Sequence, residues 1–199
     1  MPRLAQRAAV SLVLMGMICV ADDLGGQAMY LAGPIGLSAR SSTIVLRRAP
    51  GADHGVGLRF FLDHLRTGEH LVLIVSDLQT DQPPGAVYDL FFNIPHNVLS
   101  KEANRYFVGS INFFGAFPSG RESAENPDKK YRRSRFTSFD VTDMMRGMAK
   151  EGDLPEAPSI TIIPSGAPAA GSHPVIGRIE LVAVSDSQNP HRIPAETGQ

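Results

Sequence analysis

The chain has 199 residues, 43% of them hydrophobic and 20% charged, enough for one domain with a buried core and too polar for an integral membrane bundle. Nineteen Lys and Arg against 20 Asp and Glu leave a formal charge of -1, so no global field draws the protein to nucleic acid or to an anionic membrane. With one cysteine, Cys19, an intrachain disulfide framework is excluded.

In chain order, MPRLAQRAAVSLVLMGMICVADD places Arg3 and Arg7 ahead of an apolar run from Ala8 to Ala21 and then two acids, the layout of an export signal over 1–21. The run is too short to cross a bilayer comfortably, so no stable membrane span is expected. Cys19-Val20-Ala21 offers the small residues a signal peptidase reads, which predicts an exported protein, periplasmic or extracellular. A misassigned start or the stub of a longer gene would leave the same segment. Bulky Met17 and Ile18 ahead of Cys19 argue against a lipid anchor there. Residues 22–34 read as a leader and 35–184 as the domain. The tail over 185–199 carries two prolines and almost no apolar side chains, the composition of a disordered end.

From Thr43 onward, short apolar runs alternate with Gly, Pro, Asn and Asp, the spacing of an all-β fold. Strands are expected at 42–48 (STIVLRR), 70–76 (HLVLIVS), 86–93 (AVYDLFFN), 106–114 (YFVGSINFF), 134–141 (SRFTSFDV), 159–164 (SITIIP) and 174–184 (PVIGRIELVAV). Seven strands favour an antiparallel β-sandwich, because two packed sheets bury the apolar faces that neither buries alone. One short helix is expected in DVTDMMRGMAKEG, where Asp140 or Thr142 can cap and Gly152 can stop the turn. Met144, Met145 and Met148 fall at helical spacing there, which core packing explains better than a soft copper site. Between two strands, Gly120 to Arg135 gathers Lys129, Lys130, Arg132, Arg133 and Arg135 around Tyr131 and reads as a solvated hairpin loop. An acidic protein partner is its next reading.

The residues of common catalytic and metal chemistries do not assemble. His54, His64, His70, His96, His173 and His191 show no i, i+4 pair, so a copper pair held by imidazoles on facing helices has no counterpart. Neither Ser110 nor Ser165 sits in G-x-S-x-G. Asp89, Asp140 and Glu180 lack the paired carboxylates of a glycosidase, and tryptophan platforms for sugars are absent. No catalytic residue, metal ligand or cofactor is assigned to this chain.

The stretch PPGAVYDLFFNIP is the most distinctive. Alternation in a strand puts Tyr88, Leu90, Phe92 and Ile94 on one face and Val87, Asp89, Phe91 and Asn93 on the other. The first set reads as core; the second faces water or a polar surface, with Asp89 able to bond a neighbouring strand or loop. The motif Val87-Tyr88-Asp89-Leu90, followed by two apolar residues and Asn, resembles the Lys-Phe-Asp-Val motif in the C-terminal domain of polyphenol oxidases, the tyrosinase and catechol oxidase family. The resemblance continues in order through LSARSSTIVLRR, LVLIVSDLQ, FVGSINFF, VTDMMRGM, SITIIPSG and VIGRIELV, from about Ile35 to Val184. Val87 stands where the family has Lys, and Tyr88 where it has Phe, which makes the outer face more apolar.

The resemblance implies a β-sandwich that sits as a lid over the dicopper site of a helical domain, with an apolar side chain plugging the substrate entrance. No such helical domain is present here, so copper is implied only in a partner chain, a tyrosinase-like dicopper domain. The expected role is a non-catalytic shielding or assembly domain acting in trans. The alternatives are an inactive fragment of a catechol oxidase gene and an exported β-sandwich that binds a small phenolic or a glycan. Val87 and Phe91 on the outer face, with Phe114 and Phe117 in NFFGAFPSG, are the candidate docking residues.

Overall fold

A computed structural model describes residues 27–52, 57–95, 103–116 and 136–185. In chain order they form β1 (Gln27–Ala32), β2 (Ile35–Gly36), β3 (Ser42–Val45), β4 (Arg47–Arg48), α1 (Leu58–His64), β5 (Glu69–Gln79), β6 (Val87–Phe92), a 3-10 turn (Ala103–Tyr106), β7 (Phe107–Ile111), β8 (Phe136–Asp140), α2 (Thr142–Glu151), β9 (Ser159–Ser165) and β10 (Val175–Ser185). The expected export signal at 1–21, the basic loop with Lys129 to Arg135, Phe117 and the tail beyond Ser185 lie outside the described residues.

The strands make two antiparallel sheets, an all-β sandwich as the sequence predicts. Sheet A runs β4-β1-β10-β5-β8, with β2 also paired to β10; sheet B runs β3-β9-β6-β7. The two longest strands, β5 and β10, lie side by side in register from Gln79 opposite Val175 to Glu69 opposite Ser185. Between the sheets, Leu71, Leu73 and Val75 of β5 and Ile179 and Leu181 of β10 meet Tyr88, Leu90 and Phe92 of β6 and Ile160 and Ile162 of β9. Each such side chain removed from water contributes roughly 1.5 to 3 kcal/mol.

Three features depart from the sequence expectation. Residues 27–32, placed by the sequence in a leader, form β1, an interior strand of sheet A between β4 and β10. Met29, Tyr30 and Ala32 of that strand are buried in the core, so the sandwich includes residues upstream of Ile35. The strand expected at 42–48 is split between the two sheets: β3 pairs with β9 in sheet B and β4 with β1 in sheet A. Leu46 at the break is buried, its N–H donating to the Pro158 carbonyl at 2.8 Å, so the chain turns a corner around one anchored side chain. A second helix, α1, packs Leu58 and Leu62 into the same core.

The expected helix is α2. Met145 and Met148 are buried and Met144 packs beside them, so the methionines belong to the core. Asp140 Oδ1 accepts the Thr142 N–H at 2.9 Å, and Thr142 Oγ1 accepts the Leu71 N–H at 2.8 Å, which fastens the start of the helix to β5. Gly152, at φ 82, ends it in the left-handed region that glycine adopts without steric cost. Arg105 in the 3-10 turn donates to Glu151 at 3.0 Å and Asp153 at 2.9 Å, holding the far end of the helix toward sheet B.

Candidate functional site

β6 is an interior strand of sheet B, flanked by β7 and β9, so its outward face is framed on both sides. Tyr88, Leu90 and Phe92 are wholly buried, whereas Val87 is 40% exposed and Asp89, Phe91 and Asn93 are half-buried. On that outward face the polar residues tie strands together. Asp89 accepts one hydrogen bond from Ser110 Oγ of β7 and another from Ser165 Oγ of β9, both at 2.6 Å. Asn93 Oδ1 accepts the Ser159 N–H at 2.6 Å. Phe91 packs against Phe107 across the β6–β7 pair, with ring centroids 5.6 Å apart.

The apolar residues gather at the start of β6. Pro83, Pro84, Gly85, Ala86 and Val87 on one side, and Asn112, Phe113 and Phe114 on the other, line an open pocket of about 320 Å³ whose surface is almost wholly apolar. The prolines hold the approach to β6 extended, since the ring fixes φ near −65°. Phe113 is buried edge-on to the Tyr88 ring, with centroids 5.6 Å apart, and anchors the opposite wall. Its neighbour Phe114 is then turned outward and is 90% exposed. The Phe114 N–H donates to Asn112 Oδ1 at 3.1 Å and the Ala116 N–H to the Phe113 carbonyl at 3.0 Å, which defines the turn presenting the ring.

Two of the candidate docking residues, Val87 and Phe114, therefore come together on one pocket. Phe91 lies farther along β6 against Phe107, outside the pocket lining, and Phe117 lies outside the described residues. Sequence reasoning missed Pro83, Pro84 and Ala86 as wall residues. The Pro-Pro-Gly run was visible, but such a run marks a break between strands and does not by itself mark a pocket wall.

The described histidines stand apart. His64 stacks on Phe60 with Nδ1 2.8 Å from the Phe60 carbonyl, His70 Nδ1 meets Asp140 Oδ2 at 2.7 Å, and His173 Nδ1 meets Asp81 Oδ2 at 2.7 Å. Each imidazole already has a local partner, and among the described residues no three His, Cys, Asp or Glu side chains converge to hold a metal ion. His54, His96 and His191 lie outside the described residues. Among the described residues, no helix is long and apolar enough to cross a membrane.

The fold and the pocket define an antiparallel β-sandwich with an apolar recess between the approach to β6 and the turn after β7. No family model matches the chain, and no curated protein does. Solved structures with a similar fold include latent apple tyrosinase, at TM-score 0.45 and 15% identity over 77% of this chain and 28% of that one. Recombinant latent aurone synthase, a polyphenol oxidase, gives 0.44 and 14% over 77% and 26%; the same enzyme from its natural source gives 0.45 and 12% over 77% and 25%. The chain thus spans about a quarter of the length of the polyphenol oxidases it resembles. Likeness at this level assigns no activity.

Proposed function

We propose that this chain is a non-catalytic docking domain that shields the substrate entrance of a tyrosinase-like dicopper domain on another chain. The reading is supported by the motif resemblance at Val87-Tyr88-Asp89-Leu90 and carried by one observation: Val87 and the 90%-exposed Phe114 flank a single apolar pocket. A lid within one polypeptide works with a weak interface because the tether holds it at mM effective concentration. A separate lid lacks that help and needs an apolar centre within roughly 800 Å² per partner. Phe114 is the side chain that can enter a partner's opening, and the pocket beside it can receive an apolar side chain in return. Copper chemistry belongs to the partner.

The test is inhibition of diphenol oxidation when the purified chain is added to a tyrosinase dicopper domain stripped of its own lid. Inhibition that rises with chain concentration, and that weakens at least tenfold with Phe114→Ala, supports the reading; that factor corresponds to the roughly 1.5 kcal/mol or more of a buried Phe. No inhibition, or equal inhibition by Phe114→Ala and Val87→Ser, refutes it.

A second reading takes the pocket as a binding site for a small phenolic. Its volume of about 320 Å³ lies within the range of small-molecule sites, and its lining suits one aromatic ring. A rise in melting temperature with catechol, in the absence of any copper protein, would favour this reading over docking.

A further inference from the structure

The outward face of sheet B extends well beyond the pocket at its end. Register sets its side chains in rows: Thr43, Thr161, Phe91 and Phe107 cross the four strands in one, with Val45 and Ser159 to one side and Ile163, Asp89 and Ser110 to the other. The solvated face of an antiparallel sheet ordinarily carries charge, yet no Lys, Arg or Glu stands in these rows. Their polar side chains bond one another instead. Thr43 Oγ1 and Thr161 Oγ1 are 2.9 Å apart, Asn93 Oδ1 accepts both the N–H and the hydroxyl of Ser159, and Asp89 accepts the hydroxyls of Ser110 and Ser165. Asn93 Nδ2 has no hydrogen-bond partner among the described residues, but it is already buried, so covering the face takes no water from it. Drying this surface therefore strands no new polar group, and the usual penalty for doing so is small. The side chains left over are apolar, with Val45 56% exposed and Phe107 40%.

We propose that this face is a self-association surface: a second copy of the chain lies on it about a two-fold axis parallel to the strands, so that the Phe107 ring of each copy falls over Thr43 of the other. Shape selects a second copy. The β6–β7 half of the face carries the Phe91–Phe107 ring pair, and the β3–β9 half carries the short Thr43–Thr161 pair in the same row. Rotation about an axis between β9 and β6 sets the aromatic ridge of each copy on the threonine hollow of the other, the self-complementarity that a two-fold interface requires. Charge permits it. The chain carries a formal charge of -1, so copies repel little, and the one acid of the face, Asp89, is held by its two serines. Aligned sheets about 10 Å apart are also how the two sheets of one sandwich pack. Area sets the strength. Four strands across and the six residues of β6 along give a flat footprint of about 15 by 20 Å. That is short of the roughly 800 Å² per partner of a standard interface, so the dimer is weak, with a Kd on the order of 10 to 100 µM. It needs neither a copper protein nor Phe114, and so stands apart from the docking proposal.

The test is sedimentation velocity of the full-length chain from about 1 to about 300 µM, a range that brackets this affinity. The weight-average sedimentation coefficient of the parent should climb from monomer toward dimer. Thr43→Arg and Phe107→Glu, at opposite edges of the sheet, should each weaken association at least tenfold with the far-ultraviolet strand signal unchanged, whereas Phe114→Ala should leave it as it is. An equimolar mixture of Thr43→Arg and Phe107→Glu should recover the dimer, because one of its two equivalent contacts then pairs the new charges and the other is the parent's own. A parent that stays monomeric throughout, whether the face is bare or covered by the chain's own residues, would overturn the proposal. So would a dimer that survives Thr43→Arg, an exposed position that carries the test by itself should Phe107→Glu not fold. A mixture of the two folded variants that remains monomeric, or association lost with Phe114→Ala, would overturn it as well.

Discussion

Gly109 and Phe139 meet where the two sheets come together: a side-chain carbon built on Gly109 would stand 2.3 Å from the Phe139 ring. Gly109 lies on β7 at the edge of sheet B, and Phe139 on β8 at the edge of sheet A. Across from Gly109, the β6–β7 register shifts between Leu90 and Phe91. The missing side chain thus lets an aromatic ring from one sheet lie against the backbone of the other.

Gly109→Ala should destabilise the domain by about 1–3 kcal/mol, the range for overfilling a packed contact. Urea unfolding is the measurement. Because the clash is with one ring, Phe139→Leu in the same chain should recover part of the loss, giving a favourable coupling above about 0.5 kcal/mol in the double-mutant cycle. Strict additivity would show that the two residues do not meet.

Tyr88 gives a prediction of opposite sign. Its ring fills the core beside Phe113, yet its hydroxyl is buried with no hydrogen-bond partner among the described residues, and burial pushes the phenol's pKa up. An unpaired buried hydroxyl costs free energy. Tyr88→Phe should leave stability unchanged or raise it by up to about 1 kcal/mol, whereas Tyr88→Ala should lower it by about 3–5 kcal/mol. A loss above about 1 kcal/mol on Tyr88→Phe would mean that the hydroxyl is bonded.

These two residues show what the sequence makes legible. Period-2 alternation through Val87–Phe92 is strong because every second side chain is large and apolar, so the inward set Tyr88, Leu90 and Phe92 follows from pattern alone. The split at Leu46 does not: STIVLRR is one unbroken strand by composition, and only the competing partners β9 and β1 decide that it changes sheets. Helix α1 is seven residues long and has Gly57 at its N-cap, so it lacks the side-chain cap that betrays a helix. Its Leu58, Phe61, Leu62 and Leu65 do carry the i, i+3, i+4, i+7 spacing, which could have found it. β1 hid for a different reason: its strength comes from β10, far along the chain, with Gln27 opposite Ala183 and Ala32 opposite Ile179, and long-range pairing leaves no local mark. The pocket was half legible. Val87 and Phe114 stood out as exposed apolar residues, but their meeting depends on how the β7 turn folds back toward the prolines before β6.

The start of α2 carries a pH dependence. Burial alone would raise the Asp140 pKa, but the hydrogen bonds from Thr142, and then the charge and hydrogen bond of His70, outweigh it and hold the carboxyl below its ordinary value. A lowered carboxyl pKa stabilises the fold above the unfolded-state value, and that contribution is lost as pH falls through the folded-state value. Asp140→Asn should therefore lower the urea midpoint at neutral pH, with the gap to the parent shrinking as pH drops below the ordinary carboxylate range near 4. The Asp140 side chain is 38% exposed, so solvent screening keeps the effect modest, within about 1 kcal/mol. A gap that stays constant down to pH 2 would show that the charge is not what fastens the helix.

Asp89 is the residue whose role the motif leaves open and the geometry settles locally. It stands on the interior strand of sheet B and receives one serine hydroxyl from each neighbouring strand, so a single carboxylate clasps β7, β6 and β9. Both oxygens are occupied, which leaves the side chain structural. Removing it strands no deeply buried donor, because Ser110 and Ser165 are exposed and can turn to water. The cost of Asp89→Ala should thus be moderate, about 1–2 kcal/mol by urea unfolding. Asn keeps one carbonyl oxygen and gains a donor that a serine hydroxyl can accept, so Asp89→Asn should cost less than half as much. Ser110→Ala and Ser165→Ala should each take a share, and in the Asp89→Ala background neither should cost anything further. If the serine substitutions cost the same with and without Asp89, the clasp is a pair of solvated contacts, and the acid in this motif needs another explanation.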